Sequence, residues 1–285
     1  MSLTSFLKIK DVKETFKKEF EKPQFKAPKK LLAPPLTKNY TLVGTAFDYL
    51  LRFYIKRLNP NAIEYCWIAE RVYEMYKPKE NYTVIPSEWA ENPDVYEKFL
   101  KIIPEAKKAY NAFIKTGEIT SELCKATLLL AQLDSIFRSF YIPKNFEINK
   151  KDVEDLKKLI SIVKPEYFKA KKICILNPTF GAASELVHGA DCDLVIDDMI
   201  VDIKTTKETK FRRDYFNQLV GYYILYQIGG IEGLPPNYKI KKLGVYFSRY
   251  AYFYVINVDN IIKKETFPAF IKWFKKRASE VFHKC

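Results

Sequence analysis

Apolar residues return every three or four positions through most of the first 170 residues, and then the period shortens to two. The stretch VGTAFDYLLRFYIKRLN (43–59) has helical spacing and stops before Pro60, which predicts a helix with a defined end. NAIEYCWIAERVYEMY (61–76) predicts the next helix. Pro78, Pro86 and Pro93 make residues 77–94 a long loop. VYEKFLKIIPEAKKAYNAFIKTG (95–117) predicts a helix broken or kinked at Pro104, because proline lacks the N–H donor and its ring meets the preceding turn. In 120–140, Thr120 is placed to cap, Glu122 falls in the first turn and the apolar face is broad. Residues 151–168 predict one more helix. Residues 1–40 are rich in lysine and proline, and Pro28, Pro34 and Pro35 predict an arm rather than a packed element, with a short amphipathic helix at its start.

Beyond residue 170 the pattern is that of strands. KICILN (172–177) is a short β-like run. ELVHGADCDLVIDD (185–198) and MIVDIKTT (199–206) alternate, with Asp197 and Asp198 at the turn between them. FRRDYFNQLVGYYILYQIGG (211–230) predicts a helix closed by Gly229 and Gly230. Residues 242–259 predict two strands around Arg249 and Tyr250, and 266–282 a basic closing helix. The expected class is α/β: a small mixed sheet flanked by helices, with a large helical N-terminal portion. The expected organisation is a basic arm (1–40) and one domain (41–285), mainly helical over 41–170 and built on the sheet over 171–285.

Composition narrows the chemistry. The chain has 285 residues, 48% of them hydrophobic, enough for one sizeable core. The formal charge is +14, which favours polyanionic partners, since each phosphate neutralised releases condensed counterions. Both ends are basic: residues 1–40 carry a net +6 and the last 25 residues a net +5. The five cysteines (66, 124, 174, 192, 285) form no CxxC and suggest reduced thiols in a cytoplasmic protein. With only His188 and His283, zinc hydrolases and histidine-based triads are nearly excluded. The start lacks the apolar region of a signal peptide, no stretch has the length and apolarity of a membrane span, and no GxxxxGK[ST] occurs. The chain is therefore expected to avoid membranes and not to be a helicase motor.

The candidate chemistry lies where the strands alternate. Asp191 and Asp193 are two apart and would share a face; Asp202 and Lys204 share a face of the next strand. Pairing those strands would gather Asp193, Asp202 and Lys204. Clustered carboxylates are costly without a cation, and hard oxygen ligands select Mg²⁺ or Mn²⁺. A lysine there can orient water or stabilise charge on a phosphate. The competing reading of an isolated Asp-x-Lys is a salt-bridged edge strand.

The longer pattern, GADCDLVIDDMIVDIKTTK followed by NQLVGYY, resembles the PD-(D/E)xK nuclease superfamily in its RecB-like exonuclease branch. The matching pieces are Gly189 to Asp193 (one residue longer than the branch's usual spacing), Asp202-Ile203-Lys204-Thr205, and Gln218 with Tyr222. The resemblance implies a restriction-endonuclease-like core. It implies Asp193 and Asp202 as metal ligands with a backbone carbonyl near Ile203, Lys204 as the catalytic lysine, and Gln218 and Tyr222 as residues that position the lysine or the nucleic acid. The branch's upstream Gly-x-x-x-His is matched by Gly44 to Asp48, with aspartate in place of histidine. Asp48 and Glu185 are rival third acids, and Asp48 has the alternative of an i,i+4 salt bridge to Arg52. Asp134 and Arg138 repeat that spacing and read as structural, or as support behind the site. The iron–sulfur cysteines of some relatives are absent.

Lys207, Lys210, Arg212 and Arg213 suit a phosphate-tracking rim, and Arg249 between two tyrosines suits a phosphate or stacking contact. His188 reads as an ordinary strand residue next to the site, with substrate contact as its alternative. The expected activity is Mg²⁺-dependent phosphodiester hydrolysis, with DNA ahead of RNA. The alternatives are a non-catalytic nucleic-acid-binding protein and an interaction subunit whose helical first half docks a partner through an apolar patch on the 95–140 helices.

Overall fold

In the computed structural model, which describes residues 2–80 and 82–282, a six-stranded sheet lies between two groups of helices. Along the chain run α1 (Leu3–Phe6), α2 (Lys10–Glu19), α3 (Tyr40–Leu58), β1 (Ile63–Glu64), α4 (Ile68–Tyr76), α5 (Ser87–Ala90), α6 (Pro93–Thr116), α7 (Ser121–Ser139), α8 (Lys150–Ser161), β2 (Cys174–Leu176), α9 (Ala182–Glu185), β3 (Leu194–Ile196), β4 (Met199–Lys204), α10 (Arg213–Gly229), β5 (Lys242–Phe247), β6 (Tyr252–Asn257) and α11 (Phe267–Phe282). The strands lie in sequence order. β1 and β2 are parallel, β2, β3 and β4 antiparallel, β4 and β5 parallel, and β5 and β6 antiparallel. The parallel β4–β5 pair needs a crossover, and α10 supplies it.

Alternation along β4 sorts its side chains between two cores. Val201, with Met199 and Ile203 beside it, joins the core of α3, α4, α6, α7 and α8, while Ile200 joins the core under α10 and α11. Asp202 and Lys204 share the parity of Ile200 and so face α10. On the helical side α3 and α7 pack together through Phe47, Leu50, Leu51, Leu128 and Ala131, all almost fully buried. Thr120 caps α7 by accepting from the Leu123 N–H at 3.1 Å, as its position predicts. Pro104 does not break α6, which runs uninterrupted to a left-handed Gly117. One lost backbone bond is outweighed by burying Phe99, Ile102, Ile103 and Ala106 around it, at about 1.5–3 kcal/mol for each large apolar side chain.

The helix expected over 61–76 begins only at Ile68, because residues 63–64 pair with β2 as β1, and the helix expected over 151–168 ends at Ser161. Two larger expectations also fail. The first is the N-terminal arm. Leu3, Phe6, Leu7, Val12, Phe16 and Phe20 are buried, and Phe6 and Phe16 meet Phe274 of α11 edge-on or tilted. The closely spaced lysines are the solvent face of helices whose other face is core. At Gly221 of α10, an added Cβ would stand 3.1–3.3 Å from methyls of Leu3 and Leu7, so the glycine permits this docking. Residues 21–39 then cross the β5–β6 hairpin. The Phe25 ring lies 5.4 Å from Phe247 and 5.0 Å from Tyr254, and the N–H groups of Leu32 and Ala33 both donate to the Arg249 carbonyl at 3.0 Å.

The second is the strand expected over 185–198. Only Leu194–Ile196 is strand; α9 and a turn precede it. Positive φ at His188 (56°) and Gly189 (120°) cannot continue an extended chain. The Ser184 hydroxyl holds the turn, accepting from the Phe180 N–H and donating to the Ala190 carbonyl.

Among the described residues no helix is long and apolar enough to cross a membrane. Cys66, Cys124, Cys174 and Cys192 are free thiols; His283 and Cys285 lie outside the described residues.

Candidate active site

β3 is three residues shorter than β4, and the site grows from that mismatch. Leu194 pairs with Val201; one residue further, the chain that would continue the ladder has left the strand. The Asp193 carboxylate takes the vacated place, accepting from the Ile203 N–H at 2.6 Å. A buried N–H is thereby satisfied and an acid is fixed beside Asp202. On the α10 face, the Lys204 ammonium lies 2.9 and 2.8 Å from the two Asp202 oxygens and 3.0 Å from Gln218 Oε1. Gln218 donates in turn to the Tyr222 hydroxyl at 2.7 Å, and Tyr222 stacks on Phe180. The i,i+4 spacing of Gln218 and Tyr222 thus becomes a chain of hydrogen bonds ending on the lysine.

Asp48 approaches from α3. Its Oδ2 pairs with Arg52 at 2.8 Å, while its Oδ1 is buried with no hydrogen-bond partner among the described residues. The i,i+4 salt bridge to Arg52 is therefore formed, and it leaves the other carboxylate oxygen of Asp48 unpartnered among the described residues. Asp134 of α7 accepts from Tyr49 and binds Arg138, whose side chain reaches into the cleft.

Two cavities flank these groups. One of about 190 Å³ includes Asp191, Asp193, Asp202, Ile203, Lys204, Gln218 and Tyr222 in its wall, with Ser2 and Thr4 closing one side. The other, about 300 Å³, includes Asp48, Asp193, Ile203 and Lys204, with Tyr40 and Tyr215 at its mouth. Arg138, Asp193, Ile203 and Lys204 belong to both.

The electrostatics follow from crowding acids out of water. Burial pushes the Asp193 carboxyl well above the usual range, and the charges of Asp48 and Asp202 push it further; Lys204 and the Ile203 N–H oppose. Burial also raises Asp48 against the pull of Arg52. Burial raises Asp202, with Lys204 opposing. For Lys204 itself, burial is the largest influence and lowers the pKa, but Asp202 and Asp193 together outweigh it and hold the amine above the lysine range. At 2.8–2.9 Å the Asp202–Lys204 contact has the spacing of a charge-assisted hydrogen bond.

Several expected residues lie elsewhere. Glu185 is exposed on α9 and lines neither cavity, because the left-handed turn after it carries it away from β4. His188 stacks on Phe282 at 4.7 Å. Arg249 is not at a nucleic-acid surface: it is 1% exposed, with two bonds of 2.8 and 2.9 Å to Asp155 and a third to the Ala33 carbonyl. Arg213 is half-buried and donates to the Phe20 carbonyl, tying α10 to α2. Lys207, Lys210 and Arg212 remain exposed; Lys207 lies over the Tyr40 ring and Arg212 over the Tyr215 ring. Sequence reasoning missed Tyr40 and Tyr215 and undervalued Arg138. Tyr215 lies three residues before Gln218, on the same helix face, and that spacing was its available signal.

Whether the acids fit a divalent cation can be tested on their own geometry. Among the described residues, no group of three His, Cys, Asp or Glu side chains stands ready to hold a metal ion. The donor chemistry nevertheless fits a hard cation: oxygen donors only, carboxyls raised first by burial and, at Asp193, further by the charges of Asp48 and Asp202, and one buried carboxylate oxygen of Asp48 without a hydrogen-bond partner among the described residues. Comparison with family models, with curated proteins and with solved structures finds no match to this chain.

Proposed function

We propose that the chain is a Mg²⁺- or Mn²⁺-dependent nuclease of the PD-(D/E)xK kind, on a restriction-endonuclease-like core, hydrolysing phosphodiester bonds in DNA. The observation that carries this reading is the joining of Asp193, Asp202 and Lys204 on one face, braced by Gln218 and Tyr222. A salt-bridged edge strand would explain Asp202 and Lys204 alone. It does not explain a second and third acid, Asp193 and Asp48, lining the same cleft as that lysine.

The residues divide the work. Asp193, Asp202 and Asp48, with the Ile203 carbonyl, would hold the cation. When bound, the cation supplies Lewis acidity and a more acidic water. Lys204, charged and held by Gln218, presents its ammonium to a phosphate oxygen and stabilises the negative charge that grows there during attack. Tyr222 fixes the Gln218 amide and so the lysine's reach. Arg138 brings a second cation to the same space. Exposed Lys207, Lys210 and Arg212 add affinity that does not depend on base sequence.

The test is cleavage of linear, circular and single-stranded DNA with Mg²⁺ or Mn²⁺. Lys204→Ala is expected to lose about 10²–10³-fold in rate, the cost of removing one preorganised charge-stabilising group. Asp202→Ala should lose at least as much. Equal cutting by wild type and both variants would remove the proposal.

A second reading, an interaction subunit, draws on an apolar groove of about 570 Å³ between α6 and α7 that includes Ile102, Ala106, Phe113 and Leu129. Retained partner binding with no cleavage by the wild type would favour it.

A further inference from the structure

At the opposite end of β4 the chain builds a second polar concavity. It has a volume of about 630 Å³ and sits around the β3–β4 turn. Two segments far apart in sequence face each other across it: Lys169, Lys171 and Lys172 on one side, Lys239, Lys241 and Lys242 on the other. Its acids are mostly spent. Asp197, left-handed at φ 48°, points its carboxylate into the N–H groups of Lys171, Lys172 and Ile173. Asp198 pairs with Lys242 at 3.3 Å. The remaining acid, Glu166, faces five lysines that have no ion-pair partner among the described residues, and all five are exposed.

Like charges converging in a concavity from separate segments gain nothing from one another; an anion between them removes the repulsion. We propose that this basin binds the phosphate backbone of a nucleic acid, at a place distinct from the candidate cleft. The shape and size select the ligand. A planar lipid surface cannot enter a concavity, and a lone phosphate would leave most of the lysines uncompensated. Tyr238, half-buried at the wall, adds an aromatic ring beside the cations, which suits bases rather than acidic side chains. Met199 touches the basin and Lys204 the cleft, so one six-residue strand, about 16 Å long at ~3.3 Å per residue, separates them. A few nucleotides span that length. The proposal does not need the chain to cut.

The test is fluorescence anisotropy with labelled duplex and single-stranded DNA in EDTA, over a range of salt. Lys171→Gln/Lys172→Gln/Lys239→Gln is compared with Lys98→Gln/Lys101→Gln/Lys108→Gln on α6, which changes net charge equally. All six lysines are exposed, and circular dichroism checks the fold of each protein. The basin variant should bind at least tenfold more weakly near 0.1 M salt, with the slope of log affinity against log salt flatter by about 2–3. The α6 variant should keep the wild-type slope. Inorganic polyphosphate should displace the DNA, and polyglutamate of equal charge should do so at least tenfold less well. Equal losses in both variants would overturn the proposal, as would equal competition by polyglutamate. Because metal and cleavage are absent, failure here leaves the nuclease reading standing, and equal cutting by wild type, Lys204→Ala and Asp202→Ala would remove the nuclease reading and leave this one standing.

Discussion

Two buried ion pairs sit beside the same sheet and are built for opposite ends. Arg249 and Asp155 face each other with two parallel bonds, and each is 1% exposed. Around them Ala33 accepts from the arginine and Leu36 donates to the aspartate, which leaves the buried Arg249 Nε as the atom of the pair without a partner among the described residues. Lys204 and Asp202 are also buried, but the lysine keeps 19% of its side-chain surface, opens on two cavities and has Asp193 and Asp48 close by. The first pair is closed and electrically complete. It clamps residues 32–36 and α8 to the β5–β6 turn. The second shares its cavities with two further acids, Asp193 and Asp48. Sequence pattern alone cannot separate them, because both are a basic residue on a strand-like segment with an acid within reach. What separates them is whether other acids and open space adjoin the pair.

The largest expected effect comes from breaking the closed pair. Arg249→Ala leaves Asp155 buried and unpaired, and should cost about 3–5 kcal/mol in urea or thermal unfolding. A variant that melts like wild type and only loses DNA affinity would erase the distinction between the pairs. Next is the open pair's demand for a cation. Mg²⁺ at about a hundredfold its dissociation constant should stabilise the wild type by about 2.7 kcal/mol, read as a rise in melting temperature. Asp193→Asn should abolish the rise, and Arg249→Ala should retain it. The smallest effect belongs to an ion pair that is neither closed nor crowded, Glu70 with Lys107. Burial works to raise the Glu70 carboxyl, but Lys107, the Trp67 N–H and Cys66 outweigh it and hold it below the usual range. Its stabilising contribution is therefore present above the unfolded glutamate pKa and is lost as pH falls through the lower folded value. Wild type should lose slightly more stability than Glu70→Gln over that acid range. The reverse order would mean that the contact carries no net attraction.

Much of the sheet half was legible because its periods are short and local. Alternation in MIVDIK and the i,i+4 pair in NQLVGYY are enough to set Asp202 with Lys204 and Gln218 with Tyr222 on shared faces. Asp193 was found for an incomplete reason. It belongs beside Asp202, yet it is not in a strand; its carboxylate replaces a strand's backbone. The docking of α1 and α2 was hidden because lysines outnumber the apolar residues that face inward, and only the partner surface on α10 and α11 gives those few their value. Arg249 was misplaced for the mirror reason: its partner Asp155 is 94 residues away, and no local pattern announces a contact of that span. Arg138 and Tyr215 join the cleft only once α7 and α10 are set against β4.

The docking of α1 and α2 on α11 has a consequence for how the molecule is made. The helical core gathers residues between 33 and 253, whereas the second core requires residues 3–20 and 267–282 together. On the ribosome, the phenylalanines of α1 and α2 emerge long before α11 and wait until it has cleared the exit tunnel before their cover arrives. Such a long wait with exposed aromatic surface favours aggregation and holding chaperones. Production at lower temperature, where translation and misassembly both slow, should raise the yield of folded chain.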